Sequence, residues 1–117
     1  MREIYAQGDV LLERVSDVDP KPCNLVPVDP DGAVVVGRGE VTGHRHAFFG
    51  GAVMFRDDGL ARDVAPELYV GHVKIASTGA ELRHEEHGTI PLPPGTYRVR
   101  RQREFEDLKR RPRLVAD

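Results

Sequence analysis

The chain is poor in cysteine, in aromatic side chains and in long apolar runs. Its one cysteine, Cys23, can form neither an intrachain disulfide nor a thiolate zinc cage. No apolar stretch nears the roughly 18 residues needed to span a bilayer. The opening Met-Arg-Glu-Ile-Tyr-Ala-Gln-Gly-Asp lacks the basic-then-apolar form of a signal peptide. A cytoplasmic protein without membrane contact is therefore expected. The seven Phe and Tyr residues form no stripe beside the arginines, so recognition of single strands by base stacking has little support. There is no Walker loop, no GxGxxG opening a helix and no GxSxG elbow.

What is present points to one small β domain. A length of 117 residues suits a single core. Valine alone occurs fifteen times, and turn pairs recur at short spacing. The expected fold is all-β, a small antiparallel barrel or sandwich over 1–103, with a short basic C-terminal helix or tail over 104–117 packed on it. Gly8–Val15 reads as an opening strand with Val10 and Leu12 on one face. Pro20, Pro22, Pro27 and Pro30 confine 19–32 to an edge or surface loop. Ala33–Val36 fits a buried strand. Leu68–Ala76 follows the same logic, with Tyr69, Val73 and Ile75 inward and His72 opposite, more structural than functional.

Two-residue hairpin turns are expected at Gly50-Gly51 and Asp58-Gly59, and a type II turn at Pro94-Gly95. A hairpin at Gly50-Gly51 would pair His46 with Phe55 and His44 with Asp57. A turn at Pro94-Gly95 would set Leu92 against Tyr97 and Ile90 against Val99.

Four of the five histidines fall in two tight groups, His44-Arg45-His46 and His84-Glu85-Glu86-His87. Residues i and i+2 of a strand project from one face, so both imidazoles of the first group can reach one ion. Neutral imidazoles with an added carboxylate suit a divalent transition metal such as Zn, Fe, Mn or Ni. His44 and His46 are the expected ligands, with His84 as third and Asp57 or His87 as fourth. Strand alternation favours His84 over His87 as the inward member, unless a bulge near Gly88 turns His87 round. Glu85 or Glu86 can act as acid, base or further ligand.

The segment Gly39-Glu40-Val41-Thr42-Gly43-His44-Arg45-His46, with the later Gly88-Thr89-Ile90-Pro91-Leu92-Pro93-Pro94-Gly95, resembles the two motifs of the cupins. These are small β-barrels that hold a metal through an HxH pair, a carboxylate and a later histidine. The resemblance implies a cupin-like barrel with His44 and His46 as ligands. It lacks the Glu after HxH and the His after Pro-x-Gly. The wider pattern is also similar to small bacterial or phage-associated proteins of unassigned activity.

The two ends of the chain differ in charge. Residues 98–113 carry eight bases against three acids, a net of +5, which leaves −7 for the rest of a chain whose total is −2. Arg98, Arg100, Arg101, Arg103, Lys109, Arg110 and Arg111 are thus candidates for contact with nucleic acid, a protein partner or a second copy of the chain. The leading expectation is a metal-binding β protein, either an enzyme or a domain for a small-molecule ligand. The alternative is a non-catalytic interaction module or assembly component built on the basic segment.

Overall fold

The computed structural model describes residues 3–38 and 44–102. Their strands are β1 (Ile4–Gln7), β2 (Val10–Val15), β3 (Val34–Arg38), β4 (Arg45–Phe55), β5 (Tyr69–Arg83), β6 (Ile90–Leu92) and β7 (Gly95–Arg101). All pairings are antiparallel, in the order β1-β2-β7-β5-β4-β3, with β6 also on β5. The fold is all-β, as the valine content and turn spacing imply. Among the described residues the terminal strands β1 and β3 do not pair, so the structure is one open sheet rather than a closed barrel or a two-sheet sandwich. The C-terminal helix or tail expected over 104–117 lies outside the described residues.

The Gly50-Gly51 hairpin does not form. β4 continues through both glycines and pairs with β5 on either side of them, as Ala47↔Arg83 to Gly50↔Ala80 and then Ala52↔Ile75 to Phe55↔His72. Between these two registers one residue of β4 faces four of β5. That is a large bulge, which bends both strands. Gly50 takes φ +108°, and a Cβ on Gly51 would lie 2.6 Å from Thr78 Oγ1. Glycine is needed here for a bend, not for a reversal. The Asp58-Gly59 turn is likewise replaced by a 3-10 turn over Asp58–Leu60, and the chain reverses through the longer segment 56–68.

The Pro94-Gly95 turn gives way to a similar arrangement. β6 and β7 lie end to end along one edge of β5, β6 on Ala80–Leu82 and β7 on Tyr69–Ile75. Pro93 and Pro94, which have no N–H to donate, interrupt this edge where β5 bulges. Leu92 and Tyr97 therefore do not face each other, although both are buried in the core, with Ile90 and Val99.

Among the described residues the main hydrophobic core, with Val10, Leu12, Phe48, Val73, Leu82, Tyr97 and Val99 at its centre, gathers buried side chains from β2 to β7, and a smaller cluster is formed by Ala61, Val64 and Tyr69. Fully burying such a side chain contributes roughly 1.5–3 kcal/mol. β1 joins through Tyr5, packed against the main core, and through a polar side chain. Gln7, with no exposed surface, donates from Nε2 to Leu82 O at 2.9 Å and to Gly88 O at 2.8 Å. This ties the outermost strand to the far end of β5. The proline-rich loop lies on the body, with Val26 N donating to Met54 O.

Candidate metal centre

The register of the β4–β5 ladder explains why two distant histidine groups meet. Ala47 pairs with Arg83, so the next position along each strand sets His46 opposite His84. The His46 and His84 rings lie 4.3 Å apart, His44 and His84 5.6 Å, His84 and His87 4.6 Å, and His46 and His87 5.9 Å. Residues 84–89 form a bend rather than a strand. Strand alternation therefore does not apply to them, and His84 and His87 reach the same cluster. Donor atoms of His44, His84 and Glu85 all lie within 4.8 Å of one another.

The depth of the cluster is graded. His46 shares a face with Phe48 and caps the core at 7 % exposure, whereas His44 and His84 are half-buried and Glu85 is exposed. Burial pushes the His46 imidazole down to about 4; the adjacent His84 adds to this and Asp9 opposes it. Burial, followed by His87, also lowers His84. The ring of His46 is thereby held neutral, the form that binds a metal. Glu85 Oε1 accepts the Arg45 N–H at 2.9 Å, which holds that carboxylate below its usual range.

Hydrogen bonds fix two of the rings. Both Gln7 N–H groups are taken by carbonyls, so Gln7 Oε1 can only accept, and His46 Nδ1, 2.9 Å away, must be the donor. The neutral His46 then carries its lone pair on Nε2. His84 Nδ1 accepts the Glu86 N–H at 3.0 Å, so its neutral ring is protonated on Nε2. His44 Nδ1 stands 3.7 Å from Glu86 Oε2.

Asp57 does not join the cluster, because β4 continues where a hairpin was expected. It sits beyond the opposite end of β4, where Oδ1 caps the Asp58–Leu60 turn and its N–H donates to the Tyr69 hydroxyl at 3.1 Å. His72 lies at that same end, buried and bonded through Nδ1 to Tyr69 Oη at 2.7 Å.

The cluster instead meets three residues that carry no motif, Gln7, Gly8 and Asp9 of the β1–β2 turn. Gly8 has φ +59°, and a Cβ there would lie 2.8 Å from His87 Nε2. Asp9 Oδ1 stands 3.6 Å from His46 Nε2. The sequence signal for this turn is Gly-Asp between the apolar positions Tyr5, Ala6, Val10 and Leu12, a two-residue hairpin pattern. Nothing local links it to histidines 35 or more positions away.

The candidate basic contacts divide. Arg98 is buried and spends its charge on Glu13, at 2.9 and 2.8 Å, and on Asp63 at 2.7 Å, so it has no face to offer a phosphate. Arg101 grips Asp9 Oδ2 through Nε and Nη2 at 3.0 and 2.6 Å. Arg100 is half-buried, with Nε unbonded among the described residues. Arg103, Lys109, Arg110 and Arg111 lie outside the described residues.

A groove of about 270 Å³ lined by Arg45, Phe49, Arg83, His84, Glu85 and Thr89 opens beside the cluster. A larger one of about 690 Å³ lies across Phe49 and Arg83, over the β5 bulge and Pro91–Pro93, and holds none of the histidines. Among the described residues no helix is long and apolar enough to cross a membrane.

A family model matches residues 6–102, most of the chain, from the end of β1 through the whole of β2 to β7. The chain belongs to the family described as a domain of unknown function, DUF8820. The match begins at the edge of the Gln7-Gly8-Asp9 turn and takes in both histidine groups of this DUF8820 member. No curated protein and no solved structure is significantly similar to the chain.

Proposed function

We propose that this protein binds a divalent transition metal, Zn, Fe, Mn or Ni, through its histidine cluster. The observation that carries the reading is the convergence of His44, His84 and Glu85 donor atoms within 4.8 Å, with the His46 and His87 rings packed against them. Imidazole nitrogens with one carboxylate make the donor set such ions prefer. Of the cupin pattern the reading keeps the HxH pair, with Glu85 and the His84–His87 bend supplying the remaining donors. A protein of this kind is a metal-dependent enzyme or a small-molecule binding domain, and the groove beside His84 gives the ligand its approach. Held with an open coordination position, the ion supplies Lewis acidity or an activated water. The chain's own part is to keep His46 neutral and correctly protonated and to shelter it from bulk water.

Coordination by His84 has a local consequence. Whichever ring nitrogen binds, Nδ1 can no longer accept the Glu86 N–H. Metal uptake should therefore release that amide, seen as faster hydrogen exchange at Glu86.

The test is elemental analysis of protein purified without a histidine tag, followed by Zn²⁺ titration of the wild type and of His44→Ala/His84→Ala. About one equivalent in the wild type, lost in the variant with the fold intact, supports the reading. A metal-free wild type whose melting temperature ignores both Zn²⁺ and chelator would remove it.

A further inference from the structure

We infer that the site takes a carboxylate with a flat apolar body, the body lying in the larger groove and the charged end between Arg83 and the ion. This names the ligand class of the proposed metal site and rests on that reading. The two grooves form one path. The smaller is lined by His84 and Glu85, two of the three converging donors, and it shares Phe49 and Arg83 with the larger. A ligand that reaches the ion at one end can therefore extend past Phe49 at the other. At about 690 Å³ the larger groove falls within the roughly 300–1,000 Å³ of small-molecule sites.

That groove follows from the fold. The β4 ladder on β5 skips from Ala80 to Ile75, β6 reaches only Ala80 and β7 only Ile75, so residues 76–79 pair with none of them. Gly50 and Gly79, both with positive φ, line the gap. A Cβ on Gly79 would meet nothing closer than Leu92 O at 3.6 Å, so the glycine leaves space there. Ala80, Pro91, Leu92 and Pro93 make the wall apolar, and an apolar body gains by displacing water from it.

Arg83 stands where the grooves meet. Its Nε donates to Glu81 Oε1 at 2.9 Å, Nη2 lies 2.7 Å from the same oxygen, and the guanidinium covers the Phe49 ring at 4.5 Å. These contacts fix the guanidinium and leave Nη1 without a partner among the described residues. Arg45, on the same ring at 5.8 Å, is instead engaged by Asp29 and Asp31. A dication held by imidazoles and Glu85 keeps a net positive charge. The path is thus cationic near His84 and apolar over the bulge, and a carboxylate on an apolar body matches both ends.

The probe is 2-naphthoate, with 2-naphthalenemethanol as its neutral counterpart and acetate as a carboxylate without a body. Each is titrated calorimetrically into the wild type and Arg83→Gln under saturating Zn²⁺. The wild type should bind naphthoate at least about tenfold more tightly than either control. Arg83→Gln should weaken naphthoate about 5–30-fold and leave the alcohol unchanged. Removing Zn²⁺ should also weaken naphthoate, since ion and ligand favour each other reciprocally. Thr78→Trp, which fills the larger groove, should weaken naphthoate and spare acetate. Either control binding as tightly as naphthoate overturns the inference while the metal reading stands. So does naphthoate binding that ignores Arg83→Gln, Thr78→Trp or the loss of Zn²⁺. A wild type that binds no Zn²⁺ ends both. Should Thr78→Trp fail to fold, nuclear Overhauser contacts from the naphthyl protons to Thr78 and Pro91 of the wild type decide, and their absence overturns the inference.

Discussion

The two ends of the β4–β5 ladder each bury a histidine, and they treat it differently. His72, at the end near Phe55, stacks on that ring at 5.6 Å and bonds the Tyr69 hydroxyl, which is tied in turn to the Asp57 main chain. Among the described residues no second imidazole is in ring contact with it. His46, at the other end, has one nitrogen fixed by Gln7, while the other looks at a carboxylate across a ring of imidazoles. A buried histidine whose polar contact is met by a phenol stabilises a core. One whose second nitrogen faces a carboxylate and other imidazoles is what the proposed metal reading requires. Burial alone does not distinguish them, since both are below a tenth exposed.

The comparison can be broken most sharply by removing rings from each end. His44→Ala/His84→Ala should cost at least about 100-fold in Zn²⁺ affinity, the loss expected of ligands themselves. His72→Phe, which keeps the stacking on Phe55, should leave that affinity unchanged. An equal effect of the two variants, read by calorimetric titration, would erase the distinction between the ends.

Gln7→Leu attacks the support of His46 alone. It leaves the Leu82 and Gly88 carbonyls and His46 Nδ1 without their partner, so a loss of about 2–4 kcal/mol in urea unfolding is expected. Zn²⁺ affinity should fall about 10–100-fold as the tautomer is freed. A Gln7→Leu protein with native stability and affinity would show that the amide does not set this ring.

Acid sharpens the same point. The metal-free protein holds His46 near pH 4 against about 6.5 in the unfolded chain, and His72 is lowered in the same direction by its burial. Above about pH 6.5 neither state of the protein protonates these rings. As pH falls below that value the unfolded chain takes up protons the folded one refuses, so stability drops. The His46 contribution stops changing once the folded ring protonates near 4. Its full loss is on the order of 3 kcal/mol. His72→Phe should reduce this pH dependence in chemical denaturation but leave the His46 part standing.

Gly8→Ala should have the smallest effect, about 1–2 kcal/mol, because any side chain at φ +59° is strained. It should also weaken Zn²⁺ measurably by pushing back His87, which a substitution at the His72 end would not do.

Much of this was legible in the sequence. The valine-rich spacing gives the β class, and the i, i+2 pair at His44 and His46 gives two rings on one face. The second group at 84–87 pointed to the same cluster. Register was not legible. Gly50-Gly51 satisfies a two-residue turn and a bulge equally well, and only the length of β5, which runs to Arg83, decides between them. Asp57 was misplaced for that reason alone. Gln7 and Asp9 were hidden more deeply, since their roles depend on packing between residues 37 to 81 positions apart. Arg98 looked like surface charge because Glu13 and Asp63, its partners, are distant in sequence.

Zn²⁺ titration of tag-free wild-type protein, with His72→Phe and His44→Ala/His84→Ala in parallel, tests the central claim most directly. One equivalent bound by the wild type and by His72→Phe, and none by the double variant, is the predicted result. Absence of binding by the folded wild type, or binding that survives loss of His44 and His84, would contradict it.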